Sequence, residues 1–233
     1  MERCSVWRWM AIVPGSLVDY EALKGVHYRD GRPGVVKRVF VARYDGPGLG
    51  GADGGRKMVA GVVVESFPAL ACRLRDVAFG GRYSCGDRHF SAAMLNREMR
   101  TISRVVVHPM FRSIGLAVEL VKHLLRNAQT PYVEALAAMG RVHPFFQRAG
   151  MHAFDRPPLE GAVRFTAALE REGLRTMDLA GLKAERLSPF LSRELRCYLG
   201  RRKGGDHELL AEARRRILSQ PVYFVWQSEW KKR

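Results

Sequence analysis

Apolar residues recur along this chain with two different periods, and the change from one period to the other marks its elements. From Ile102 to Val107 β-branched residues dominate, and the run stops at His108-Pro109, where proline cannot donate to a strand ladder. Beyond a short turn, Leu116, Leu120 and Leu124, together with Ala117, Val121 and Leu125, recur at i and i+4. Glu119, Lys122, His123 and Arg126 gather opposite them, which predicts an amphipathic helix. The same reading makes Trp7 to Val13 a strand ended by Pro14-Gly15-Ser16. Ser16 then caps a helix through Tyr20 and Leu23 that breaks near Gly25.

Val35 to Tyr44 and Met58 to Phe67 alternate and are β-branched, so they form a hairpin across the glycine-rich turn Asp45 to Lys57. Tyr132 to Met139 reads as a further strand and Val142 to Ala149 as a helix. His152 to Phe154 and Ala162 to Ala167 read as the last two strands, parted by Pro157-Pro158. The segment from Pro68 to Met99 carries five arginines and little periodicity, and is expected to be an insertion. From Arg171 onward the sequence turns charged and helix-forming. Residues 1–170 are thus expected as one domain, with the insertion at about 68–99, and 171–233 as a basic, mainly helical extension.

Composition bounds the function. The 233 residues suffice for one domain with a substantial core plus an appendage. No apolar run approaches the roughly 20 residues that span a bilayer. The N-terminus reads as a first strand, not a signal peptide. Cys4, Cys72, Cys85 and Cys197 lack paired spacing, which points to reduced thiols in a cytoplasmic protein. Cys72, Cys85 and His89 fall short of a closed zinc site, so no metal is expected. The formal charge of +16 is large for this size; it suits contact with a polyanion such as nucleic acid, or solubility alone. From Arg186 to Arg233 there are twelve Lys and Arg against five Asp and Glu, with Tyr223, Phe224, Trp226 and Trp230 among them. Aromatic rings beside cations suit nucleic acid, and equally suit packing of the tail on a core.

The chemistry concentrates where the strand hands over to the amphipathic helix, at Arg112-Ser113-Ile114-Gly115-Leu116-Ala117. A strand running through a glycine turn into a helix N-terminus leaves backbone N–H groups unpaired at the positive end of the helix dipole. Such a place holds phosphate. Gly115 lets the backbone approach a ligand, and Arg112 adds a cationic fork. The glycines of Asp45 to Lys57 are followed by a strand, the wrong context for a dinucleotide loop.

The string Val105 to Ala117, VVVHPMFRSIGLA, resembles the acyl-CoA-binding motif of the GNAT N-acetyltransferase superfamily, whose core is [QR]-x-x-G-x-[GA]. Val142 to Met151 resembles that family's following helix and turn. The resemblance implies an α+β fold with a central mixed, mostly antiparallel sheet flanked by helices. It also implies direct acyl transfer from acetyl-CoA, or another acyl-CoA, to an amine. Val105, Val106 and Val107 would then pair with the pantetheine arm, and the amides from Arg112 to Ala117 would hold the pyrophosphate. Where the family commonly has a tyrosine acid, this chain has Phe145 and Phe146, so Phe146 counts with the cofactor site and the acid must come from elsewhere. The candidate proton-handling groups are His27 and Tyr28, in a polar loop, and Glu134, on the strand from Tyr132, for which pairing with a nearby arginine is the competing and favoured role. A His-Tyr pair before such a core is also similar to phage Mom-type DNA-modifying proteins and to acetyltransferase-like domains fused to ABC-type ATPases. That similarity implies adenine modification in DNA as the alternative activity. A CoA- or nucleic-acid-binding module without catalysis is the other alternative.

Overall fold

A computed structural model describes residues 5–26, 33–47, 58–138, 140, 143–154, 159–200, 202, 204–218 and 221–228. Seven strands form one sheet: β1 (Met10–Gly15), β2 (Val36–Tyr44), β3 (Met58–Ser66), β4 (Met99–Val107), β5 (Tyr132–Ala137), β6 (His152–Phe154) and β7 (Val222–Gln227). Their spatial order is β1-β2-β3-β4-β5-β7-β6. All neighbours run antiparallel except β4 and β5, which are parallel. The sheet is mixed and mostly antiparallel, and helices flank it, as the resemblance implies.

Strand alternation sends side chains to two faces. On one, Phe40, Val63, Ile102, Val133, Ala135 and Phe224 meet Leu116, Leu120, Val121 and Leu124 of α4 (Leu116–Arg126). Burying each such leucine contributes about 1.5–3 kcal/mol. Gly61 of β3 makes that approach possible, because a Cβ there would lie 3.0 Å from Leu120 Cδ1 and 3.1 Å from the Val106 carbonyl oxygen. On the opposite face, Val39, Val62, Val64 and Val106 cover Tyr20 and Leu23 of α1 (Leu17–Leu23). The segment expected as an insertion folds as α2 (Arg73–Ala78) and α3 (Arg88–Glu98), the latter capped by Asp87 through the amides of His89 and Phe90.

The chain divides into two compact units: Met1–Asp155 with Val222–Arg233, and Arg156–Pro221. The second has its own core of Phe165, Leu169, Leu179, Leu191, Leu195, Leu209 and Leu210. These come from α6 (Glu160–Arg171), α7 (Pro189–Leu199) and α8 (Asp206–Leu218) with two short 3-10 turns between them. Ser188 caps α7 by accepting from the Leu191 amide at 3.1 Å, with Pro189 in the first turn where its missing N–H costs nothing.

Several expectations fail here. The boundary expected at residue 170 falls within α6, and the mainly helical extension includes a strand, β7. Residues 162–167, expected as a strand, belong to α6, because Ala162, Phe165, Ala168 and Leu169 form one apolar helical face. Val222–Gln227 instead supplies the missing strand, between β5 and β6. Tyr223 and Phe224 are accordingly buried in the sheet and Trp226 is packed against its core, so none is a free stacking platform. At the other end of the chain, Ser5–Trp9 is a 3-10 turn and the first strand begins at Met10. Phe145–Arg148 forms only one turn of helix, α5. No helix among the described residues is long and apolar enough to cross a membrane.

Candidate functional site

The parallel pair β4–β5 is short. Its register runs from Met99 opposite Tyr132 to Ile102 opposite Ala135 and no further. Yet β4 continues to Val107, still paired with Gly61 of β3, and β5 continues to Ala137, paired with Val222 of β7. Each strand keeps its outer neighbour while the two part from one another, which leaves a notch inside the sheet. The His108 amide donates to the Ala60 carbonyl at 2.9 Å, toward β3. Alternation along the strand therefore turns the amide and carbonyl of Val106 the same way, and those of Val105 and Val107 toward the notch. The side chain of Val106 is buried in the core beneath α1. Of the three valines, Val105 and Val107 are thus the ones whose backbone faces the opening.

The notch leads to the turn before α4. Arg112 and Ser113 are exposed, Ile114 and Gly115 half-buried, and Leu116 is sealed in the core, where it anchors the helix start; Ala117 is half-buried in the first turn. Gly115 adopts φ 87°, ψ 7°, a left-handed conformation, although a Cβ there would meet nothing within 4 Å. The glycine is required by the backbone, not by space. Ser113 also has positive φ, at 67°. Among the described residues no hydrogen bond engages the amides of Ser113, Ile114, Gly115, Leu116 or Ala117, whereas those of Val118 and Glu119 already donate to the Gly115 carbonyl. Five donors at the positive end of an 11-residue helix are available to an anion. Arg112 lies beside them, donating to the carbonyls of Val107 at 3.4 Å and Val26 at 3.3 Å. His108 accepts from the Met110 amide through Nδ1 at 3.3 Å, so it shapes the turn.

Glu134 is not free to act as a base. Its carboxylate is almost wholly buried and accepts four hydrogen bonds. Arg75 donates from Nη2 and Nε at 2.7 and 2.8 Å, Thr101 from Oγ1 at 2.6 Å and the Tyr223 hydroxyl at 2.6 Å. Two donors on each oxygen leave no lone pair for a substrate proton. Burial alone would pull the Arg75 guanidinium below its ordinary value, but the bond and charge of Glu134 raise it above. Burial, then the Glu134 charge, push the Tyr223 phenol up. Composition and spacing give no sign of this cluster, since its members come from α2, β4, β5 and β7.

Phe146 is buried in the core, its ring 5.1 Å from that of Phe224, while His143 is exposed. His27 and Tyr28 lie outside the described residues. Among the described residues no group of three or more His, Cys, Asp or Glu side chains is placed to hold a metal ion.

No protein-family model matches the chain, and no curated protein matches it. Among solved structures it is similar to a mutant agmatine N-acetyltransferase in its apo form, at 13% identity and TM-score 0.42, over 94% of this chain and 100% of that one. It is also similar to AtaTR bound with AcCoA, at 13% identity and TM-score 0.36, over 64% and 88% of the two chains. A GNAT family acetyltransferase from Elizabethkingia anophelis with acetyl-CoA bound aligns at 12% identity and TM-score 0.34, over 63% and 78%.

Proposed function

We propose that this chain is a GNAT-type acyltransferase that moves an acyl group, acetyl in the simplest case, from acyl-CoA to an amine. One observation carries the reading. A free strand edge, opened where β4 and β5 part, runs directly into a helix N-terminus whose amides are unpaired. An extended amide-bearing arm ending in a diphosphate needs those two features in that order. The amides of Ser113 to Ala117 and the Arg112 guanidinium fit the diphosphate. The outward amide and carbonyl of Val105 and the outward amide of Val107 fit the arm. The cofactor supplies an activated thioester, and binding its remote parts holds that thioester for attack.

The chain's own groups must then hold the amine and accept its proton as the N–C bond forms and the C–S bond breaks. With Glu134 held by its four donors, the reading gives these roles to His27 and Tyr28, the groups the sequence offers. Phe146 cannot protonate the leaving thiolate. The acceptor amine, including one on nucleic acid, is tested directly. The purified protein is incubated with labelled acetyl-CoA and protein, DNA, tRNA or polyamine, and label is followed to the acceptor. Equilibrium binding of acetyl-CoA is measured in parallel. Failure to bind acetyl-CoA removes the proposal; binding without transfer to any acceptor assigns a cofactor-binding module instead.

A further inference from the structure

The helical unit between β6 and β7 carries charges in an unusual arrangement. Two carboxylates, Glu194 on α7 and Glu212 on α8, are only 7% and 10% exposed, and each is surrounded by arginines. Glu194 accepts from Arg164 Nε at 2.6 Å and lies 3.9 Å from Arg193, and the charge of Arg171 also reaches it. Glu212 accepts from Arg216 Nε at 2.7 Å and from Arg215, and Arg202 lies 3.1 Å away. The hydrogen bonds from Arg164 and Arg216 hold these two carboxyls below the ordinary carboxylate range, so both remain charged. Six guanidiniums against two carboxylates still leave an excess of four positive charges.

The carboxylates sit inside and the cations outside. The side chains of Arg164, Arg193, Arg202, Arg215 and Arg216 are between 37% and 71% exposed. Each guanidinium has five N–H donors, and the inner carboxylate takes at most two of them. Tyr198 lies beside the first cluster and within the field of the second. With Glu160, Arg164 and Glu194 it lines a groove of about 390 Å³, and the charges of Arg216 and Glu212 act on its phenol. Its ring stacks on Phe165 at 5.7 Å and covers Gly161, where a Cβ would come within 3.2 Å, so the ring is fixed as a wall. The cations here are mainly arginines, as in the chain as a whole: residues 156–221 contain twelve arginines and two lysines. Arginine's planar fork matches phosphate bidentately, while solubility alone makes no such demand.

We infer that this face of the helical unit, from Arg164, Arg171 and Arg193 across the Tyr198 groove to Arg202, Arg215 and Arg216, binds the phosphate backbone of nucleic acid. Recognition runs through phosphates, because the one aromatic wall is already packed and offers no free face for a base. The inference stands apart from the acyl-transfer reading, since it uses no residue of the α4 turn.

The test uses the full chain with labelled single-stranded RNA, single-stranded DNA and duplex DNA, titrated by fluorescence anisotropy from low to moderate salt. Changing Arg164, Arg171 and Arg193 to Gln, or Arg202, Arg215 and Arg216 to Gln, is expected to weaken binding at least about tenfold. The slope of log affinity against log salt should fall by about 0.7–0.9 for each phosphate that is no longer neutralised. The corresponding Arg→Lys sets, which keep charge and lose the fork, should retain much of the affinity; they also report whether a Gln set fails only by misfolding. Removing three exposed arginines of the other unit, Arg73, Arg88 and Arg97, should change affinity less than twofold, and acetyl-CoA affinity should be unchanged throughout. Equal weakening by that control set would reduce the effect to net charge and overturn the inference. So would absence of nucleic-acid binding, or binding only to anionic lipid vesicles.

Discussion

At Gly115 the demand is for one backbone conformation and nothing else: the space beside the glycine is open, yet its φ is 87°. A β-branched residue held left-handed costs about 1–3 kcal/mol or moves the turn. Gly115→Val is therefore expected to weaken acetyl-CoA binding by at least about tenfold, or 1.4 kcal/mol, by calorimetric titration. The same variant should lower the melting temperature only modestly, since Leu116 still anchors the helix. Glu134 behaves oppositely. Removing it strands the Arg75 guanidinium in the interior, so Glu134→Ala should cost about 3–5 kcal/mol in denaturant unfolding. If Glu134→Ala left stability intact but abolished turnover, Glu134 would have to be restored as the base. A third expectation concerns pH. Tyr223 and Tyr83 both have phenols raised above the ordinary value, by burial first and then by Glu134 and Glu98 respectively. Protonated tyrosine is the form the fold favours. This contribution is complete below the unfolded value near 10 and is lost as pH rises beyond it. Stability in denaturant should hold from pH 7 to about 9 and then fall, and Tyr223→Phe should lessen the fall.

The elements that can be read from sequence are those whose pattern is both long and one-sided. Leu116, Leu120 and Leu124 announce α4 because its opposite face is charged throughout, and Leu120→Ala is expected to cost about 2–5 kcal/mol by thermal unfolding. The strand Ile102 to Val107 and the glycine turn before α4 are legible as well. By contrast, six residues of α6 read as a strand, since Val163, Phe165 and Ala167 alternate with less apolar neighbours. Only the wider window, reaching Ala168 and Leu169, shows the helical face. β7 is hidden by its setting among cations, which draws its aromatics into a different interpretation. The notch depends on where a parallel register stops, and the Glu134 cluster joins residues 33, 59 and 89 positions apart. Neither leaves a local mark, because both depend on pairings between distant segments.

On the scale of the whole molecule, the helical unit enters after β6 and returns into β7, and those strands pair with Phe154 opposite Tyr223. Its two ends are thus neighbours, and its core is its own. Replacing residues 156–221 by a short hairpin turn is expected to leave a folded sheet that still binds acetyl-CoA. Circular dichroism and calorimetry would check both, and an unfolded product would show that the separate cores do not suffice.

The position of β7 also sets a timetable. Translation delivers the helical unit before the strand that lies between β5 and β6, so the unit's local structure can form early while the sheet waits for its penultimate member. Until residues 222–227 emerge, β5 has a bare edge and β6 has no neighbour. A nascent chain stalled at Pro221 would be half finished, with a mature helical lobe and a sheet exposed to pairing with other chains.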